Sequence, residues 1–237
     1  RANHYQMTYY MLLLMMVIYF FYGIKAIKEK SVKSYFKSSI LLFTAAILSL
    51  GLNAPPLLAT SEYTKFSTRG KSELTLNPDG SSKESTGGLS RDYITQFSYG
   101  IFESLNLIAP RIQGGGSTED LGENSELFKF LVQNGVPMSQ SKSFVSNVPT
   151  YWGNQPILEA PAYVGVTIVF LTIIALFLVR GPLRNSLFFG AILSLLLSWG
   201  KNLPWLTNFF IDYFPLYNKF RAVSSIQVIL EFCLPVL

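Results

Sequence analysis

The chain of 237 residues is apolar and sparsely charged, with 49% hydrophobic residues, 14% charged residues and a formal net charge of +5. Soluble domains average about a quarter charged residues, and here the apolar residues form runs of the length that membrane spans need. Most of the excess positive charge lies in short loops beside these runs, which argues against nucleic-acid binding. The single Cys233 excludes an internal disulfide, and one cysteine with one histidine, His4, gives no basis for a Cys/His metal site.

The first two apolar runs predict two membrane-spanning helices. Residues 5–23 carry no charge and are about as long as the roughly 20 residues that cross a bilayer core. Residues 24–37 form a basic loop with five lysines and one acid, Glu29. The second run covers residues 40–60, and Asn53 with the following prolines predicts a break in its helix. Residues 1–59 are therefore expected to hold spans one and two with a basic cytoplasmic loop at 24–37.

Residues 60–161 form a polar segment of mixed helix and loop. Apolar side chains spaced through residues 91–110 predict an amphipathic helix on the membrane or on a neighbour, interrupted near Gly100. Residues 124–135 predict a short helix, with Asn124 or Ser125 as its N-cap and Gly135 as its C-terminal stop.

Residues 162–237 predict spans three to five. The third run covers residues 162–179, and the fourth covers 186–200 together with a few residues before Ser186. Prolines interrupt residues 203–217, which predict a re-entrant or interfacial helix. The fifth span begins at residue 222 and is cut short at the chain end, so the chain is expected to be a fragment. The fold class is an all-α polytopic membrane protein with about five transmembrane helices.

The charges of two short loops predict the orientation of these spans. The loops 24–37 and 180–184 hold seven Lys/Arg and one acid, and an even number of predicted spans separates them. Short basic loops stay in the cytoplasm. Residues 60–161 and the loop 201–221 are therefore expected outside the cytoplasm.

Three basic residues are candidates for binding the phosphate of a lipid-linked donor. Lys219 and Arg221 precede the fifth span at the outer membrane boundary, and a guanidinium can bind two phosphate oxygens at once. The alternative is membrane anchoring by snorkelling. Arg69 is a candidate contact to a pyrophosphate or sugar, with an ordinary ion pair as its alternative.

Acidic, aromatic and amide side chains in the polar segment supply the remaining candidates. Glycosyl transfer needs a carboxylate as general base, and Asp92 and Glu103 are weak candidates because most exposed acids are simply solvated. Tyr151, Trp152 and Gln155 combine rings and amides that suit a sugar or acceptor, although an interfacial aromatic belt has the same composition.

Six stretches resemble the YfhO-type family of bacterial membrane proteins: RANH (1–4), YTKFSTRGKSEL (63–74), ITQFSYG (94–100), YWGNQP (151–156), LLSWGKN (196–202) and YNKFRAVS (217–224). That family is similar to GT-C glycosyltransferases, which transfer a sugar from a polyprenyl-phosphate donor to an acceptor outside the cytoplasm. The resemblance implies a location in the bacterial cytoplasmic (inner) membrane. It also implies a catalytic acid in an early outside loop, upstream of Arg1, so the catalytic residue within this chain stays unknown.

The resulting expectation is a GT-C-type glycosyltransferase with membrane lipids, a polyprenyl-phosphate sugar and a cell-envelope acceptor as partners, and with no cofactor indicated. A non-enzymatic transporter of envelope lipid or polymer, or an assembly factor, is the alternative. The almost complete lack of ionisable residues in the first four predicted spans disfavours ion-coupled transport.

Overall fold

The structure, a computed structural model, describes residues 4–67, 69–70, 80–81, 88–159 and 162–237. Within these ranges it is helical, and its one strand-type pairing is an isolated bridge between Glu119 and Val148. The α-helices are α1 (Tyr5–Lys28), α2 (Val32–Leu52), α3 (Ala54–Lys65), α4 (Arg91–Ile94), α5 (Glu126–Gln133), α6 (Met138–Val145), α7 (Val166–Leu178), α8 (Pro182–Ser198), α9 (Pro204–Tyr213) and α10 (Gln227–Val236). Short 3-10 turns cover Phe102–Leu107, Gly200–Asn202, Tyr217–Lys219 and Val223–Ile226.

Helices α1 and α2 have the length and hydropathy of membrane spans, and within the described ranges these two alone meet both criteria. With 24 and 21 residues, they extend about 36 Å and 31 Å at 1.5 Å per residue. No residue of α2 is buried, and Phe43 on this helix is 68% exposed. An apolar helix with so little protein around it needs lipid or further protein against its surface.

The core of the bundle lies where α1, α8 and α10 pack together. Gly190 on α8 allows this close approach, because a Cβ at that position would lie 2.6 Å from Leu14 Cδ1 and 3.8 Å from Cys233 Sγ. Ser194 Oγ donates a hydrogen bond to the carbonyl of Ile226 at 2.7 Å. Small residues thus let three helix backbones lie close to one another, as is common in membrane bundles.

The bundle has two chemically different ends. At one end the rings of Phe21 on α1 and Phe189 on α8 lie 5.9 Å apart, so the basic turn after α1 and the basic turn before α8 are at the same end. At the opposite end Gln6 Nε2 donates to the carbonyl of Arg221 at 2.7 Å. The described part of the polar segment packs there too, since the N–H of Tyr99 donates to the carbonyl of Ser198 at 2.8 Å. This arrangement agrees with the predicted pairing of the two basic loops on one side.

Several predicted boundaries in the apolar regions need correction. The loop expected at 24–37 is wrong, because α1 continues to Lys28 and α2 begins at Val32. Lysine is a good helix former and is favoured at helix C-termini, so helix extends through the basic stretch. The predicted break at Asn53 and the start of the fourth helix before Ser186 are both confirmed. Helices α7 and α10 have 13 and 10 residues, so five spans remain a prediction.

The polar segment follows its prediction in part. Helix α5 has Ser125 as its N-cap, whose Oγ accepts the N–H of Phe128 at 3.2 Å, and Gly135 follows with a φ of 84°. The amphipathic helix expected over 91–110 is wrong in its extent, because α4 has four residues and the next element is a 3-10 turn at Phe102–Leu107. The interruption expected near Gly100 is confirmed by the non-helical backbone between these two elements. Residues 1–3, 68 and 71–74, which belong to the stretches resembling the YfhO-type family, lie outside the described residues.

Candidate functional site

Arg69 and Lys219, 150 residues apart in the sequence, contact each other through reciprocal hydrogen bonds. Arg69 Nε donates to the carbonyl of Lys219 at 2.9 Å, and Lys219 Nζ donates to the carbonyl of Arg69 at 2.7 Å. The chain just after α3 is thereby held against the loop that precedes α10. Two of the three basic residues predicted to bind phosphate are adjacent.

The third basic residue, Arg221, follows Phe220, whose ring packs on the bundle. Phe220 is extended, with φ of −109° and ψ of 150°, and successive side chains of extended backbone point to opposite faces. The ring of Phe220 packs on Tyr9 of α1, with 5.2 Å between ring centroids. Arg221, the next residue, therefore points away from this packing face, and its side chain is exposed.

Arg221 is held on aromatic rings. Its Nη1 donates to the hydroxyl of Tyr93 at 2.6 Å, and its Cζ lies 5.3 Å from the centroid of the Tyr93 ring and 6.0 Å from that of Phe97. Cation–π contact fixes the plane of the guanidinium while leaving several of its five N–H donors for a ligand.

The environment of this cation cluster, defined as Arg69, Lys219 and Arg221, favours an anion. Arg69 and Arg221 are exposed, and no carboxylate of the described residues pairs with either. Arg91 differs, because its Nη2 forms an ion pair with Asp212 at 2.7 Å. Phosphate oxygens are suitable partners for exposed guanidinium groups held in fixed orientations.

The two predicted carboxylates occupy opposite environments. Asp92 lies exposed in the first turn of α4 and makes no hydrogen bond or ion pair within the described chain. Glu103 is fully buried, and its Oε2 accepts the N–H of Gly100. Burial raises the pKa of Glu103, against the lowering effect of this hydrogen bond and of nearby Asn154 and Gln155. A raised pKa makes the ionised carboxylate a stronger base, but a buried group needs a path to its substrate.

The three residues predicted to hold a sugar or acceptor are separated by their folding. Gln155 is buried and lies near Glu103, and its N–H donates to the hydroxyl of Tyr151 at 3.0 Å. Trp152 is 68% exposed, and its backbone N–H donates to the carbonyl of Gln113. Gln155 and Tyr151 therefore belong to the surroundings of Glu103, whereas the indole points to solvent.

A cleft of about 340 Å³ lies between the polar segment, the start of α10 and the N-terminal part of α1. Its polar lining comes from Tyr99, Gln155, Gln227, Glu231 and two serines at 224 and 225. Sequence reasoning missed Tyr99, Gln227 and Glu231. For Gln227 and Glu231 the sequence did contain a signal. These two polar residues are four positions apart in an otherwise apolar run, a spacing that puts both on one helix face.

Comparison with known proteins gave no relatives. No protein family matches the chain, no curated protein is significantly similar to it, and no solved structure matches its fold. The resemblance to the YfhO-type family is therefore carried by the quoted stretches alone.

Proposed function

We propose that this chain acts as a membrane glycosyltransferase of the YfhO and GT-C type, which transfers a sugar from a polyprenyl-phosphate donor to a cell-envelope acceptor. The observation that supports the proposal is the cation cluster: Arg69 and Lys219 meet across 150 residues of sequence, and two rings orient Arg221, which is two residues after Lys219 in the chain. A donor of this class offers such a cluster its phosphate.

The proposed topology puts this phosphate site at the outer surface of the bacterial cytoplasmic membrane. The basic stretches 24–37 and 180–184 lie at one end of the bundle and the cation cluster at the other. Basic turns remain in the cytoplasm, so residues 60–161 would be extracytoplasmic and the cluster would lie at headgroup level. The apolar runs would supply about five spans.

The proposed reaction is a displacement at the anomeric carbon of the donor sugar. A hydroxyl oxygen of the acceptor forms the new bond to that carbon, and the bond from carbon to the phosphate oxygen breaks with its electron pair leaving on the phosphate. A carboxylate takes the hydroxyl proton. The cations of the cluster would stabilise the charge that develops on the leaving phosphate. Asp92 and Glu103 stay the candidate bases in this chain.

The test is sugar transfer from a labelled polyprenyl-phosphate sugar by the full-length protein in membranes. Removing a group that stabilises transition-state charge costs on the order of 10²-fold in rate, so Arg221→Ala and Lys219→Ala should each transfer far more slowly. Arg91→Ala is the matched control, because Arg91 is engaged by Asp212 and should stay within about twofold of wild type. Equal transfer by all four proteins would remove the cluster's role and favour the transporter or assembly-factor alternative.

A further inference from the structure

We propose that the cleft lined by Tyr99, Gln155 and Gln227 binds a neutral polyhydroxyl group, such as an unphosphorylated sugar ring. The inference rests on the proposed function in one respect only: in a glycosyltransferase the occupant would be the sugar of the acceptor. The cleft is separate from the cation cluster, because none of the three cations lines it.

Polar groups that line the cleft, and others buried behind it, have hydrogen-bonding capacity that the described chain does not fully use. Tyr99 is 1% exposed, and its hydroxyl makes no hydrogen bond of normal geometry within the described chain, although the side chains of Gln227 and Asn106 lie close enough to interact with it. Both side-chain atoms of the fully buried Asn106 are also unpaired among the described residues, as is Oε1 of Glu103. Of these residues Tyr99 lines the cleft, whereas Asn106 and Glu103 lie behind it, so Tyr99 and the amides of Gln155 and Gln227 are the groups that would bind hydroxyl groups of a ligand.

The electrostatics of these groups supports a neutral ligand. Burial raises the pKa of Tyr99 to about 12, and nearby Glu103 adds to that increase, whereas the amides of Gln227 and Asn106 oppose it. Tyr99 is therefore a neutral donor and acceptor at physiological pH. Amides and hydroxyls both donate and accept, as sugar hydroxyls do. The described lining contains no cation and one acid, Glu231, so a phosphorylated ligand would meet repulsion in place of a partner.

Contacts with Tyr151 and Glu103 hold Gln155 in position. Its N–H is bound by the Tyr151 hydroxyl, and its side chain lies beside Glu103. Gly153 allows this packing, since a Cβ there would lie 2.4 Å from Glu103 Oε1 and 2.2 Å from the Tyr151 hydroxyl. The volume of about 340 Å³ lies at the small end of the roughly 300–1,000 Å³ of small-molecule pockets, which suits a group of one or two rings.

The experiment measures ligand-dependent thermal unfolding of the full-length protein in detergent. The probes are D-glucose, D-galactose and N-acetyl-D-glucosamine, with glucose 6-phosphate as the charged comparison. A ligand that binds the folded state raises the unfolding temperature by mass action. At least one neutral sugar should raise it for wild type, and glucose 6-phosphate should raise it less than glucose does.

Two variants and one matched control test the assignment. Tyr99→Phe and Gln155→Leu should each weaken sugar binding about tenfold, the effect of one lost hydrogen bond. Tyr99→Phe should also unfold at the same or a higher temperature than wild type without sugar, because it removes an unpaired buried hydroxyl. The control Tyr213→Phe, at an exposed tyrosine of α9, should bind sugar as wild type does.

The outcomes separate this inference from the proposed function. No shift with any neutral sugar, or unchanged binding by both cleft variants, overturns the cleft assignment. Arg221→Ala should keep its response to neutral sugar while losing transfer. Normal transfer by Arg221→Ala with sugar binding intact would reject the proposed function without affecting the assignment of the cleft as a sugar site.

Discussion

Gly200, at the junction between α8 and α9, is the position where one added methyl group should do most damage to the docking of the polar segment. It has a φ of 45°, and a Cβ there would lie 2.1 Å from Ser98 Oγ and 2.5 Å from Val223 Cγ2. Left-handed backbone costs a non-glycine residue about 1–3 kcal/mol, and over-packing costs about 1–3 kcal/mol. Ser98 Oγ also accepts the N–H of Lys201 at 2.9 Å, so it cannot move without losing that bond.

Gly200→Ala should therefore lower the free energy of unfolding by about 2–6 kcal/mol, the sum of these two costs. Unfolding in detergent measures the change, and limited proteolysis should show faster cleavage within residues 88–107. The control is Gly51→Ala on α2, where nothing lies within 4 Å of the added Cβ, so helix propensity should raise stability by up to about 1 kcal/mol. Equal stability and equal proteolysis of the two variants would refute the described packing.

Three further predictions concern carboxylates and their partners. Burial raises the pKa of Glu103. The wild type should therefore lose stability as pH rises from the ordinary carboxyl range through that raised value. A pH series of unfolding temperatures should show this loss for wild type and none for Glu103→Gln. The hydrogen bond from Arg111, followed by one from Thr150, lowers the pKa of Glu119 from 4.5 to about 2. The stabilisation that Glu119 contributes should be complete above pH 4.5 and should disappear as pH falls towards 2. Unfolding temperatures below pH 4.5 whose pH dependence is unchanged by Arg111→Met would contradict this. Arg91→Ala breaks an exposed ion pair and should change the unfolding free energy by less than about 1 kcal/mol, so a larger loss would reveal a structural role.

Local signals in the sequence predicted the elements that local interactions decide. Helix α5 is one example, because Ser125 caps it through its own side chain and Gly135 follows it with a left-handed φ. The break at Asn53 is another, since the prolines that follow cannot continue the helix before them. These features need no distant partner.

Distant hydrogen bonds decide the elements that the sequence did not reveal. The stretch after α4 has helical spacing of apolar residues, but the N–H of Tyr99 bonds to Ser198 and the carbonyl of Phe97 accepts the N–H of Ser224. Those bonds to the end of α8 and the start of α10 replace intrahelical ones. No residue pattern within 91–110 predicts these distant hydrogen bonds.

The residues of the candidate site also divide into those that the sequence predicted and those that only the fold brings together. Lys219 and Arg221 are two residues apart in the sequence, whereas the contact of Arg69 with Lys219 depends on how the chain after α3 folds back. The cleft brings Tyr99 and Gln155 together with Gln227 from three separated segments. No local sequence pattern marks these residues as one site, so only their proximity in the folded chain identifies the cleft.

Binding of a polyprenyl phosphate to the full-length protein tests the central claim most directly. Affinity would be measured in detergent for wild type, Arg221→Ala, Lys219→Ala and the control Arg91→Ala. A hydrogen bond between charged groups contributes about 1.5–3 kcal/mol, so each cluster variant should bind about ten- to hundredfold more weakly and Arg91→Ala should bind as wild type does. Equal affinity of the wild type and both cluster variants would contradict the assignment of a phosphate site to this end of the bundle.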